Sequence, residues 1–402
     1  MDPLPPGLNK IEAVALLAEQ AGLAGVDPYA ADQVAAVLAG MAPRANQRLR
    51  PMPAAEAPGA KVARFMPARD RTLPKPRHTN GRPGCFPEQA VVEHSPPFEV
   101  LELPRGFLAM IGRAPVAITA GEDALVTDFS SPYACLARLY DTDMGQILRD
   151  ARRMEGLAVV LCDDVHPLNY AHWLLDELPR LAFLGERRAV SIVVSGSTPR
   201  WQAESLLLCG FDPRRLVCLE DFTAVRADCL LVPRDLHAMP HPAHKAAPWV
   251  LDFLRGRLGL AALAQQGAAA PSKLYISRAD AEGRRVVDEP AMMALLAPLG
   301  YRMVTLGGLR VAEQAALFAR ASHVVGLHGA GLANFAFAPA GAQLVEIFPA
   351  SYGTPAYYVL AAGQGNPYAS YVGRAVPSAK RSQLDDVSID IADFAACCAG
   401  LL

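Results

Sequence analysis

Apolar residues in this chain fall into short runs with two periods, and the alternation between the periods sketches a fold. Leu157–Cys162, Val190–Ser195, Leu216–Leu219 and Cys229–Val232 are too short for helices and rich in branched side chains, as buried parallel strands are. Between them Asn169–Phe183 and Pro199–Cys209 space their apolar positions three and four apart, the period of a half-buried helix. The pattern then repeats: strand Leu274–Ser277, helix Glu289–Ala297, strand Tyr301–Leu306, helix Val311–Ala321 and strand Val324–Leu327. Asp288, with Pro290 behind it, is placed to cap the first of those helices. A glycine turn, a short helical stretch to about Phe337 and a strand around Val345 follow; helix Ala356–Ala362, strand Ala369–Val372 and helix Ile389–Gly400 close the chain. This alternation predicts an α/β protein built from two Rossmann-like domains facing across a cleft.

Two regions break the pattern. From Phe98 to Thr127 apolar runs are spaced by Pro and Gly, which predicts a small antiparallel meander. Residues 1–90 carry two helical patterns, Lys10–Ala21 and Tyr29–Gly40, and then a Pro-, Arg- and Ala-rich run too poor in apolar residues for a core of its own. That run is either an arm lying over the main body or a leader without fixed structure. A helix at Ala246–Leu260 leads into ALAQQGAAAPS, which reads as a linker. The expected domains are therefore an extension over 1–90, a first Rossmann-like domain with its meander over 91–262, and a second over 263–402.

Composition narrows the function. A chain of 402 residues suits two cores rather than one, and 52% hydrophobic against 19% charged residues marks a well-buried globular protein. A net charge of −2 offers no basic field for nucleic acid, so binding must be local. The eight cysteines are scattered, several of them in apolar runs, and show no C-x-x-C or zinc spacing, which reads as reduced thiols. The N-terminus shows neither a basic n-region nor an apolar h-region, and no uncharged apolar stretch is long enough to span a bilayer. The expectation is a cytoplasmic protein.

The candidate chemistry gathers in a few places. His328-Gly329-Ala330-Gly331 stands between a strand and a helical pattern, where glycines let backbone approach a phosphate and the helix start turns free N–H groups towards it. A histidine among small residues there suggests a polar task. Arg278 directly follows a strand, at the end where open parallel sheets bind ligands, and its fork suits phosphate oxygens. For Arg284 and Arg285 a salt bridge with Glu282 or Glu289 is as good a reading as ligand contact. Lys273, at the other end of the strand, reads as a solvated charge. Within Asn169–Phe183, the residues Asn169, His172, Asp176 and Arg180 recur at spacings of three, four and four, on one helical face. His172 and Asp176 at i,i+4 make a pair from which a general base can come. Glu346 alternates with apolar neighbours on a strand, where an unpaired carboxylate would be costly, so protein donors or a ligand hydroxyl should meet it. Asp141-Thr142-Asp143 and Asp163-Asp164 invite a metal, but the first reads better as a helix cap, and no metal is expected.

Three motifs in order, NYAHWLLDELPRL, LYISR…RRVVDE and VVGLHGAGLANFAFAPAGAQLVEIFP, resemble glycosyltransferase family 61, over about residues 95 to 375. That family includes bacterial capsular-polysaccharide transferases, plant xylan-decorating enzymes and animal protein O-GlcNAc-transferring enzymes. The resemblance implies a GT-B fold, a nucleotide-sugar donor, usually UDP-linked, transfer of a hexosyl or pentosyl group with inversion to a glycan or polysaccharide hydroxyl, and no obligatory metal or other cofactor. Carried over by position, Arg278 and His328, Gly329, Ala330 and Gly331 look like the diphosphate cradle, with Asn334 and Glu346 counted on the donor side. His172 and Asp176 look like the catalytic face, flanked on the acceptor side by Asn169 and Arg180. The chain departs from the family at Asp288, where Asn is more frequent, and at Ala171, where an aromatic is frequent. Two rival readings use the same plan: a sugar-nucleotide epimerase or hydrolase, and a non-catalytic nucleotide-sugar-binding protein.

Overall fold

A computed structural model describes residues 49–81, 83, 91–95, 97–111, 114–130, 143–162, 168–234, 245, 247–259, 272–377 and 384–402. They form two compact units: 49–68 with 97–234, and 69–95 with the described residues from 245 onward. The helical patterns at Lys10–Ala21 and Tyr29–Gly40, the acidic residues Asp141, Asp163 and Asp164, and the ALAQQGAAAPS stretch up to Pro271 lie outside the described residues.

The first unit is built on a mixed sheet. Its parallel part runs Thr223–Pro233, Arg152–Leu161, Ser191–Ser195, Leu216–Leu219, each strand hydrogen-bonded to the next. The expected meander is only partly self-contained. Phe107–Ile111 and Ala114–Ile118 do pair antiparallel, but Phe98–Pro104 does not continue them. Instead the long Thr223–Pro233 strand takes Phe107–Met110 along its first half and Val100–Pro104 along its second, both antiparallel. A strand of this length offers two partners in succession, which fuses meander and parallel strands into one sheet. Leu101, Leu103, Leu108, Ala158, Val160, Val193, Val225 and Leu230 fill the core on one face of it.

The Pro- and Arg-rich run, where described, is an arm paired into both sheets. Lys61–Met66 adds antiparallel to Phe98–Pro104, and Arg50–Met52 adds parallel to Ala124–Val126. Beyond Ala68 the chain joins the second unit, where Arg77–His78 extends the sheet beside Tyr368–Val376. There the Asn80 amide both donates to the Val372 carbonyl and accepts its N–H, each at 2.9 Å, doing the work of one more rung of the ladder. A segment without a core of its own is thus ordered by sheet edges that need its backbone groups.

In the second unit the parallel strands stand in the order Tyr301–Val304, Lys273–Ile276, His323–Leu327, Gln343–Pro349, Tyr368–Val376. From Lys273–Ile276, second in this order, the chain passes first to one neighbour, through helix Glu289–Leu296, and then crosses to the other, through helix Val311–Phe318. The connections diverge there, so the carboxyl ends of Lys273–Ile276 and His323–Leu327 form a topological switch point, the place where doubly wound sheets bind ligands. Asp288 caps its helix as expected, accepting the Ala291 N–H at 3.2 Å with Pro290 in the first turn. The stretch after the glycine turn is a tight 3₁₀ helix, Ala330–Phe337.

Candidate functional site

Arg278 and His328 emerge at that switch point, from the ends of adjacent strands. The Arg278 guanidinium is fixed by backbone: its Nε donates to the Arg284 carbonyl at 2.9 Å and an Nη to the Gly283 carbonyl at 3.1 Å. Burial, helped by the charge of Arg284, pushes its pKa down to about 10. Arg284 stands in the left-handed region with φ 58°, donates an Nη to the His328 carbonyl at 3.0 Å, and lays its guanidinium over the Tyr352 ring at 4.9 Å. Its buried Nε has no hydrogen-bond partner among the described residues. Glu289, weighed above as a partner for Arg284, instead accepts from Tyr275 Oη and Ser277 Oγ, each at 2.9 Å. Two guanidiniums therefore converge here without a carboxylate bonded to either among the described residues. Burial makes both costlier to keep charged, and Arg284 adds to that cost at Arg278, a cost that an anion would relieve.

The glycine turn is shaped by the same arginine. A Cβ on Gly329 would lie 1.9 Å from an Arg278 Nη, and one on Gly331 would lie 2.6 Å from Leu306 Cδ1. The room that glycine leaves at 329 is taken by the guanidinium. The N–H groups of Gly329, Ala330 and Gly331 make no hydrogen bond to described residues, as expected at a helix start. The Tyr357 hydroxyl donates to the Gly329 carbonyl at 2.8 Å, holding the turn from behind.

His328 is almost wholly buried. Its Nδ1 lies 2.5 Å from Glu346 Oε1, and the other carboxylate oxygen accepts from the Tyr368 hydroxyl at 2.7 Å. Phe348 stacks on the imidazole and the rings of Tyr352 and Tyr357 flank it. Burial pushes the Glu346 carboxyl well above the usual carboxylate range, against the pull of Tyr368 and Arg284. It pushes the His328 imidazole well down, with Arg284 and Arg278 adding to the effect. Of the alternatives for Glu346, protein donors are the ones present. Asn334 is fully buried and donates to Gln314 Oε1 at 2.8 Å and to the Gly331 carbonyl at 3.0 Å, so it pins the turn to helix Val311–Phe318 from inside.

The first unit holds the other predicted residues. Asn169 caps the helix start, its Oδ1 accepting from the N–H groups of Ala171 and His172. His172 Nδ1 meets Asp176 Oδ2 at 2.6 Å; Asp176 is fully buried while the imidazole keeps an exposed edge. The regular helix expected over Asn169–Phe183 is not regular. It opens as one α turn, widens to a π turn over Trp173–Glu177 and tightens to 3₁₀ over Leu178–Leu184. Pro179 has no N–H to give to the preceding turn, which accounts for a break at this point, and π turns recur at functional sites. The change of pitch takes Arg180 off the shared face. It is buried, paired with Glu177 at 2.6 Å and bonded to the Pro233 carbonyl at 2.9 Å, inside the first unit rather than on an acceptor surface. Asp143 is the helix cap that the sequence suggested, accepting from the Gln146 N–H. Among the described residues no set of three or more His, Cys, Asp or Glu side chains gathers as metal ligands.

Sequence reasoning left Arg284 undecided and passed over Tyr352, Tyr357, Tyr368 and Glu177. Arg284 had a signal in its nearness to Arg278; the tyrosines, set in stretches without a motif, had none.

Comparison with known proteins bears on the same residues. The sequence model of the family described as Glycosyltransferase 61 matches residues 170–345, which include the His172–Asp176 pair and all but the Glu346 end of the anion site. A beta-1,2-xylosyltransferase of rice (Oryza sativa subsp. japonica), XAX1, is 33% identical over 126 residues, covering 29% of this chain and 22% of that protein. The chain thus spans about a fifth of that relative's length. Among solved structures, the iron-containing dodecameric glycosyltransferase TibC of enterotoxigenic E. coli H10407 aligns over 86% of this chain and 89% of its own, at 10% identity and a TM-score of 0.27, too distant a likeness to carry an argument. No helix among the described residues is long and apolar enough to cross a membrane. Residues 170–345 of this chain thus match glycosyltransferase family 61, the family that its three sequence motifs resemble.

Proposed function

We propose that this protein is an inverting glycosyltransferase that moves a sugar from a nucleotide-sugar, UDP-linked in our reading, to a hydroxyl of a glycan or polysaccharide. The observation that carries the donor assignment is the pair of guanidiniums, Arg278 and Arg284, at the switch point of the second unit beside the uncommitted N–H groups of Gly329, Ala330 and Gly331. Departure of a nucleoside diphosphate builds negative charge on its phosphate oxygens. Fixed cations and amides aimed at that charge lower the barrier without having to reorganise. Because the two guanidiniums can supply this neutralisation, the proposed transfer needs no metal. The first unit supplies the acceptor chemistry: Asp176, held by His172 at 2.6 Å, or His172 itself, takes the proton of the attacking hydroxyl. The rice relative is named a xylosyltransferase, which places a pentose donor beside hexoses in any screen.

The test pairs binding with turnover. UDP should raise the melting temperature of the wild type, and Arg278→Ala and Arg284→Ala should each lose most of that shift. Release of UDP from nucleotide-sugars should depend on a glycan acceptor and persist in EDTA. Full UDP binding by both alanine variants would place the donor elsewhere, and complete conversion of donor without acceptor would favour an epimerase or hydrolase.

A further inference from the structure

Buried beneath the anion site, the Tyr368–Glu346–His328 chain has more hydrogen-bonding organisation than a structural junction requires. We propose that Glu346 and Tyr368 are positioning residues that couple donor binding to the uptake of one proton, which turns His328 Nε2 into an N–H donor for the bound diphosphate. The proposal rests on the reading of the second unit as the donor-binding unit.

Proton counting carries it. The Tyr368 hydroxyl donates to Glu346 Oε2, and Oε1 faces His328 Nδ1 at 2.5 Å, so the line between Oε1 and Nδ1 holds one proton whichever atom it sits on. If the pair holds that proton alone, on Nδ1, its charge is −1 and Nε2 presents a lone pair. A second proton makes the pair neutral overall, as carboxylic acid with imidazole or as carboxylate with imidazolium. In either form Nε2 carries hydrogen. Nε2 makes no hydrogen bond to a described residue, so its state is free to be set by a ligand.

The charges around the pair decide when the second proton is taken. From the loop after Lys273–Ile276 come Arg278 and Arg284; from the segment after Gln343–Pro349 come the phenols of Tyr352 and Tyr357; Tyr368 and, behind it, Tyr358 complete the surroundings, with Phe348 as an apolar floor. Without ligand the two guanidiniums pull the pair toward its anionic form, against the burial that pushes Glu346 toward the acid. A diphosphate neutralises them and sets its own negative charge beside the pair, which reverses the preference. Burial makes the anionic form costly as soon as those cations are engaged. By linkage, uptake of a proton on binding means that affinity falls as pH rises.

Isothermal titration of the full chain with UDP tests this in HEPES and in Tris, whose ionisation enthalpies differ, from about pH 7.5 to 9, where a terminal phosphate with second pKa of about 6 is already ionised. The wild type should take up between about half a proton and one per UDP and lose up to about tenfold in affinity per pH unit. Glu346→Gln should bind UDP with no uptake and a flat pH dependence, because its amide donates to Nδ1 and fixes hydrogen on Nε2 while still accepting from Tyr368. A merely structural role for Glu346 would not move the proton count. If the Gln variant fails to fold, Tyr368→Phe makes the same test: losing the donor to Oε2 keeps the carboxyl protonated and should cut the uptake. Wild-type binding without uptake, or unchanged uptake in either variant, overturns the coupling while leaving the donor site intact. Failure of the wild type to bind UDP overturns the donor reading, and this inference with it.

Discussion

Replacing Gly329 by alanine puts the anion site to a sharp test, because the sign of the effect depends on one contact. Gly329 has φ 177°, extended backbone that any residue adopts, so alanine brings no torsional penalty. An unobstructed Gly→Ala change at such a position would stabilise the fold by about 0.4–1 kcal/mol through the unfolded chain. Here the new Cβ would stand 1.9 Å from an Arg278 Nη and 2.8 Å from its Cζ. The guanidinium must move, although it donates to two backbone carbonyls at 2.9 and 3.1 Å. Hydrogen bonds from a charged group contribute about 1.5–3 kcal/mol each, so losing one or both outweighs the entropic gain and leaves a net destabilisation of roughly 1–5 kcal/mol. Taking one cationic donor from a site of developing charge should also lower turnover on the order of a hundredfold. Thermal melting and UDP titration of Gly329→Ala, Arg278→Ala and the double variant form the assay. If the Cβ acts only through Arg278, its effects should nearly vanish in the Arg278→Ala background. A Gly329→Ala protein that is more stable than the wild type and binds UDP equally well would refute the reasoning.

Other expectations follow from the same geometry. Arg278, with its pKa pushed down to about 10, should lose charge as pH passes that value, so UDP affinity should drop steeply above about pH 10 in equilibrium titrations. The sign for folding is opposite: between that value and the ordinary arginine range the unfolded chain binds more protons than the native one, so this group's contribution to stability grows with pH, in contrast to Arg278→Lys, whose pH dependence should shift lower. Asp176→Asn keeps the shape of a buried side chain but removes a carboxylate from the pair; transferase turnover should fall about 10²–10⁴-fold while circular dichroism stays native. Arg180→Ala removes the partner that Glu177 holds at 2.6 Å in the interior and should cost about 3–5 kcal/mol in denaturant unfolding; a neutral outcome would return Arg180 to the acceptor side. Asn334→Ala should cost about 1–3 kcal/mol by stripping a donor from the Gly331 carbonyl and Gln314, and should weaken UDP binding only as far as the turn loosens.

How much of the site could be read from the chain differs residue by residue. Arg278 and the His328–Gly331 turn stand at strand ends, and strand ends are visible as the points where apolar runs stop; placing them together needed only the rule that parallel sheets bind ligands at their carboxyl edge. The His172–Asp176 pair was legible because i,i+4 neighbours meet across one helical turn, and that local geometry survives the widening of the helix at Trp173–Glu177. Arg180 lay one turn further on, past the change of pitch at Pro179, and there the periodicity argument failed. Glu346 could be foreseen as needing partners, but Tyr368 sits on the next strand, and its meeting with Glu346 depends on the pairing of Glu346 with Ser370 and on side-chain reach across the strands.

Local sequence thus set the strands, the caps at Asp143, Asn169 and Asp288, and the two places where charged groups had to find partners, since periodicity, capping and chain ends act within a few residues. Strand order, the fusion of the meander with the parallel strands, the docking of the arm on both sheets and the convergence of Arg278 with Arg284 were set by contacts between residues far apart in the chain. Such contacts answer to which backbone edges and buried charges remain unsatisfied once the chain has collapsed, and no window along the sequence contains that information.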